Sequence, residues 1–92
     1  MTTYPIEVSP QARQALHTLG KPTRRRIQHA IDALADQPHP PDAITLAGTP
    51  GRHRVRAGTH QILYAIRENA VLILDIAHTN SPWGQPTEPA TP

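Results

Sequence analysis

Three arginines at alternating positions, Arg52, Arg54 and Arg56, lie in the one stretch of this chain whose residue types could do chemistry. Successive side chains of a β-strand leave opposite faces, so the spacing predicts all three guanidiniums on one face, with His53 and Val55 on the other. Same-face neighbours on a strand lie roughly 6.6 Å apart, close to the phosphate spacing of a single nucleic-acid strand. Each guanidinium offers a fork of donors suited to bidentate contact with phosphate. A phosphodiester is therefore the first ligand this ladder suggests, and a solvated basic strand is the alternative. Arginine is too weak an acid to act as a base, so proton transfer would need another group. His78 is the candidate, because imidazole titrates near pH ~6.5; its alternative is a strand-end histidine that hydrogen-bonds backbone. His53 and His60 are expected to turn away from the ladder.

The elements that must position these residues can be read from pattern. Tyr4 to Val8 reads as a short strand, ended by Ser9-Pro10, where Ser is a good N-cap and Pro fits the first helical turn. Ala12, Leu16 and Leu19 then repeat at helical spacing, and Gly20 is expected to stop the helix. Pro22 opens a second helix whose stripe is Ile27, Ala30, Ile31 and Leu34 and which runs to Gln37 before Pro38. The two form a helical hairpin with one buried face. Arg24, Arg25 and Arg26 fall in the first turn of the second helix, where the backbone dipole disfavours positive charge. Plain solubility and a basic patch for RNA or a partner both fit them. A proline-rich connector spans Gln37 to Asp42, and Ala43 to Leu46 reads as a short extended piece.

From Arg52 the period becomes two. A tight turn at Gly58-Thr59 sets Arg56 opposite Gln61 and Arg54 opposite Leu63, with Val55 and Ile62 sharing the other face. His60, Ile62, Tyr64 and Ile66 then face the helices. After a turn at Glu68-Asn69, Val71 to Ala77 is apolar almost throughout, as expected of a central strand covered on both sides. Asp75 interrupts it, either as a partner for an arginine of the ladder or as an edge effect. The sum is an α+β fold: an N-terminal strand, then a two-helix hairpin packed on an antiparallel β-sheet meander. One domain is expected over residues 1–83, followed by a disordered proline-rich tail over 84–92.

Composition narrows the function classes. The chain has 92 residues and a formal charge of only +2, but eight of its nine basic residues are Arg, so distribution matters more than net charge. There is no cysteine, hence no disulfide or thiol chemistry. With no Phe and only Tyr4, Tyr64 and Trp83 aromatic, extended stacking on bases is an unsuitable main binding mode. Neither a signal peptide nor a run of ~20 apolar residues is present, so a cytoplasmic chain with no membrane partner is expected. Metal-ligand spacing and Gly-rich phosphate loops are lacking, so no cofactor is expected.

The motifs carry a family resemblance. Leu46-Ala47-Gly48, His53 to Gly58 and His60-Gln61-Ile62-Leu63-Tyr64, followed at the right distance by Ile76-Ala77-His78-Thr79, resemble the RelE/ParE superfamily of type II toxin–antitoxin toxins. Trp83 falls where the family's C-terminal Tyr would be. Three positions depart from the pattern: Gln61 and Thr79 each replace an Arg, and Trp83 replaces that Tyr. The resemblance implies a RelE-like, ribosome-dependent mRNA endoribonuclease that inhibits translation without a metal. Arg54, Arg56 and His78 would then be catalytic, and Arg52, Arg54, Arg56, Gln61 and Trp83 would bind RNA. It implies a cognate antitoxin as partner, with the ribosome and mRNA as targets. Two other outcomes fit the same residues: a ParE-like inhibitor of DNA gyrase, and a degenerate, non-catalytic antitoxin-binding member.

Overall fold

The structure is a computed structural model that describes residues 3–46 and 51–79. The expectations for Ala47, Gly48, Trp83 and the 84–92 tail lie outside the described residues. In chain order the elements are β1 (Ile6–Val8), α1 (Pro10–His17), α2 (Lys21–Asp36), β2 (Ile44–Thr45), β3 (Arg52–Ala57), β4 (His60–Arg67) and β5 (Ala70–His78). The five strands form one sheet in the order β1-β5-β4-β3-β2. The last three strands make the expected antiparallel meander. β1 instead runs parallel to β5, because the chain returns to that edge only after passing through both helices and the meander. The sheet is therefore mixed.

Both helices cover one face. Ala12, Ile27, Ile31 and Leu34 from the helices meet Val55, Ala57, Ile62, Tyr64, Val71, Ile73 and Ile76 from the sheet in a single core cluster. Burying an aliphatic side chain of this size stabilises the fold by about 1.5–3 kcal/mol. Tyr64 is fully buried and keeps its hydroxyl satisfied by donating to the Pro38 carbonyl at 2.8 Å. Among the described residues no helix is long and apolar enough to cross a membrane.

Ser9 acts as the N-cap of α1: its Oγ accepts from the Ala12 amide at 3.1 Å, and Pro10 follows it inside the helix. Gly20 does not end α1. The helix stops at His17, where the Thr18 amide and hydroxyl both return to the Ala15 carbonyl, and Gly20 is extended (φ −66°) as the N-cap of α2. A polar side chain that can bond its own helix end thus replaced the expected glycine stop. The expectation that β5 is covered on both sides also fails. Its Val71, Ile73 and Ile76 are buried beneath the helices, whereas Leu72 and Leu74 on the second face are only partly covered.

Candidate nucleic-acid interface

The β3–β4 hairpin has the expected register: Ala57 pairs with His60, Arg56 with Gln61, Val55 with Ile62 and Arg54 with Leu63. The turn needs a glycine at position 58. Gly58 has φ +67°, and a Cβ there would lie 2.9 Å from the Arg26 side chain. Arg26 of α2 therefore packs over the hairpin turn, which ties the tip of the ladder strand to the helix layer.

With that register, Arg52, Arg54 and Arg56 all leave the sheet opposite the helices. This ladder face also carries Leu63, Ala65, Gln61, Leu72, Asp75 and Ala77 from β4 and β5, and Ile44 of β2 opposite Arg54. Among the described residues, none of the three guanidiniums has a hydrogen bond or ion pair. Three like charges at this spacing repel one another, and an anionic ligand would relieve that repulsion.

One irregularity decides what else shares this face. β4 and β5 pair regularly from Arg67–Ala70 to Tyr64–Ile73, then Leu63 pairs with Asp75, so Leu74 is an extra residue. Such a bulge reverses the facing of every residue beyond it. Uninterrupted pairing would have placed Asp75 opposite Ile62, under the helices, and His78 on the ladder face. The bulge moves Asp75 to the ladder face, Ile76 into the core and His78 to the helix side, where it pairs with His60. Ser9 holds the bulge: its amide donates to the Ile73 carbonyl at 2.9 Å and its hydroxyl to the Leu74 carbonyl at 2.8 Å.

Three expectations need correction in consequence. His78, proposed as a proton-transfer partner of Arg54 and Arg56, leaves the sheet on the opposite side, with its ring 5.3 Å from that of His60 in an edge-on contact. Gln61 does stand beside Arg56 on the ladder face, but it is only 4% exposed and spends its amide on the His78 carbonyl at 3.1 Å, so it serves as a cross-strand tie. Asp75 is not an arginine's partner. Its Oδ2 accepts from Gln11 Nε2 at 3.1 Å and its Oδ1 from the Ile76 amide at 2.8 Å.

The histidines on the helix side form two pairs. His53 lies between His39 (5.5 Å) and Tyr64 (5.4 Å), with Nδ1 3.2 Å from Thr45 Oγ1. Burial first, and His39 second, lowers its pKa below the ordinary histidine value; burial and then His78 do the same to His60. Burial, followed by the charge of Asp42, raises the Tyr64 phenol to about 12. All are conditions for neutral, structural groups rather than for proton donors at a reacting phosphate.

Sequence reasoning missed Gln11 altogether, and it left the face of Asp75 open between a partner for the ladder and an edge effect. A signal was present: in Val71-Leu72-Ile73-Leu74-Asp75-Ile76, unbroken alternation from Val71 and Ile73 would bury the carboxylate of Asp75. Avoiding that requires a bulge.

Comparison with known proteins agrees with the fold. The model of the ParE toxin of the type II toxin–antitoxin system parDE matches residues 6–83. The chain is similar to the toxin in the archaeal RelE–RelB complex of Pyrococcus horikoshii OT3, with 28% identity, a TM-score of 0.75, and 85% of this chain covering 97% of that one. It is also similar to a chain of the RelBE2 toxin–antitoxin complex of Mycobacterium tuberculosis, with 25% identity, a TM-score of 0.69 and coverages of 83% and 98%. The isolated RelE toxin of E. coli shares the fold at 14% identity, with a TM-score of 0.71 over 82% of this chain and 83% of that one. No curated protein matches in sequence.

Proposed function

The chain belongs to the ParE toxin family of type II toxin–antitoxin systems, within the RelE/ParE group of toxins, and from that membership we propose that it is a RelE-like endoribonuclease. It cleaves mRNA on the ribosome and so inhibits translation in the cytoplasm. The observation that carries this reading is the ladder itself: three guanidiniums on one sheet face with no protein partner among the described residues. Arg54 and Arg56 hold the scissile phosphate and neutralise charge as the 2′-hydroxyl attacks in line, loses its proton to water and displaces the 5′-oxygen, which leaves protonated by water, with Arg52 as an outer contact. Stabilising the developing charge is the main contribution such a site can make, since preorganised donors cost no reorganisation during the reaction. His78 lies outside this clamp.

The test is induction of the chain in a bacterium with mapping of mRNA ends. Cleaved transcripts and arrested translation are expected, and Arg54→Ala with Arg56→Ala should abolish both. Intact transcripts in cells that hold folded protein would refute the reading.

A cognate antitoxin is the expected partner, as in the RelE–RelB and RelBE2 complexes to which the chain is similar. An acidic, amphipathic segment suits the ladder and the partly covered leucines of the same face. Co-expression of a small acidic antitoxin encoded beside it should restore growth.

The second reading, inhibition of DNA gyrase, is favoured by the ParE identity of the matching family model and by Gln61 and Thr79 in place of arginine. A DNA-damage response with intact mRNA would select it.

A further inference from the structure

We propose that the groove between the N-terminus of α1 and the ladder is a nucleobase subsite that selects guanine through Asp75, an inference that rests on the ladder being a phosphate site. The groove has a volume of about 630 Å³, and its lining includes Gln11, Arg52, Leu63, Leu74 and Asp75. It directly adjoins the ladder. Arg54, Leu63 and Asp75 form one row across three paired strands, so the Asp75 backbone stands two strand spacings, roughly 10 Å, from that of Arg54. A phosphate held at Arg54 therefore directs the sugar and base of its own nucleotide along this row.

The chemistry of the groove fits a base. Leu63 and Leu74 supply an apolar floor for a flat ring, and Arg52 supplies a cation at the rim. At the far side lies an acceptor. Both carboxylate oxygens of Asp75 already take one protein hydrogen bond, from Gln11 and from the Ile76 amide, and those bonds fix its plane. A carboxylate has about four acceptor positions, so each oxygen retains one for a ligand. Guanine alone among the RNA bases presents two adjacent donors, N1–H and N2–H, on its Watson–Crick edge. Adenine and cytosine each set a ring-nitrogen acceptor beside their amine, and uracil flanks its single donor with carbonyls. Such an acceptor facing Asp75 would leave a partly buried carboxylate opposed by a lone pair.

The bulge at Leu74 creates this subsite. Without it Asp75 would face the helices, and Ser9 and Gln11 hold the arrangement from α1. Asp75 and Gln11 are thus specificity-determining residues, distinct from the arginines that bind phosphate whatever the base.

The experiment is titration of the full chain with GMP, AMP, CMP and UMP, followed residue by residue through backbone NMR shifts. Shifts at Arg54 and Arg56 with all four nucleotides are expected. Shifts at Leu63, Leu74 and Asp75 are expected with GMP, which should bind roughly tenfold tighter than the others. Asp75→Asn preserves shape and should remove the preference for GMP while leaving the shifts at Arg54 and Arg56 in place. Equal responses to all four nucleotides, or a GMP preference that survives Asp75→Asn, would overturn the guanine subsite and leave the phosphate site standing. No shift at Arg54 or Arg56 with any nucleotide would overturn the phosphate site and the subsite together.

Discussion

On the helix face of the sheet, Tyr64 is fully buried and gives its hydroxyl to the Pro38 carbonyl; on the ladder face, the guanidiniums of Arg52, Arg54 and Arg56 have no partner among the described residues. The same strand builds both. Val55 and Ala57 go into the core while the arginines on either side of them go out. The helix face satisfies its polar groups internally and stabilises the fold by burial. Unpaired charges on the other face contribute nothing comparable to stability, which leaves them open to the phosphate role proposed above. The difference teaches that the two faces can be broken separately.

The sharpest way to break the comparison is to exchange faces at the bulge. Ile76 and Ala77 are neighbours, but the bulge sends Ile76 to the core and Ala77 to the ladder face. Ile76→Asp should cost more than about 4 kcal/mol or prevent folding, because it buries an unpaired charge. Ala77→Asp should cost less than about 1 kcal/mol. Urea denaturation of the two variants decides it, and the opposite ranking would mean that β5 pairs without a bulge.

Next comes the ladder itself. Arg54→Ala with Arg56→Ala should lower mRNA cleavage by about 100-fold or more, while unfolding free energy changes by no more than about 0.5 kcal/mol. Loss of stability in parallel with activity would return the arginines to a structural role.

Ser9→Ala removes the α1 cap and the hydroxyl bond to Leu74 at once. A loss of about 1–2 kcal/mol is expected in chemical denaturation. The variant should also broaden the NMR signals of Leu74 and Asp75 more than those of β3, if Ser9 holds the bulge.

The smallest effect is the pH response of the helix face. His53 and His60 have lowered pKa values, so the unfolded chain takes up protons first as the solution is acidified. Stability is then complete above pH 6.5, the ordinary value, and falls as pH drops from there through the lowered folded values. At the alkaline end Tyr64, raised from 10.0 to about 12, keeps its proton in the fold while the unfolded chain loses it, so stability falls across that interval. Thermal unfolding across pH measures both limbs. His53→Gln should flatten the acid limb, and an unaltered limb would assign it to other groups.

Much of this was legible from local pattern. Ser9-Pro10 announced the start of α1, and Gly58-Thr59 between two alternating runs set the whole β3–β4 register, because a two-residue turn leaves one way to pair its strands. The faces of Arg52, Arg54 and Arg56 followed. β5 was different: with leucine, isoleucine or valine at every position from Val71 to Leu74, hydrophobic alternation does not say which side is buried, and Asp75 alone hints at the break. Nor did composition show that β1 would join in parallel or that Thr18 would close α1.

The sequence by itself determined the fold class, the family and the arginine ladder, since each depends on residues close together along the chain. Only the tertiary structure decided which side chains of β5 stand on the face of that ladder. Asp75 and His78 exchange sides through one extra residue at Leu74, which is held by Ser9, 65 positions earlier in the chain. A contact at that separation leaves no local periodicity, and the β5 members of the site are set by it.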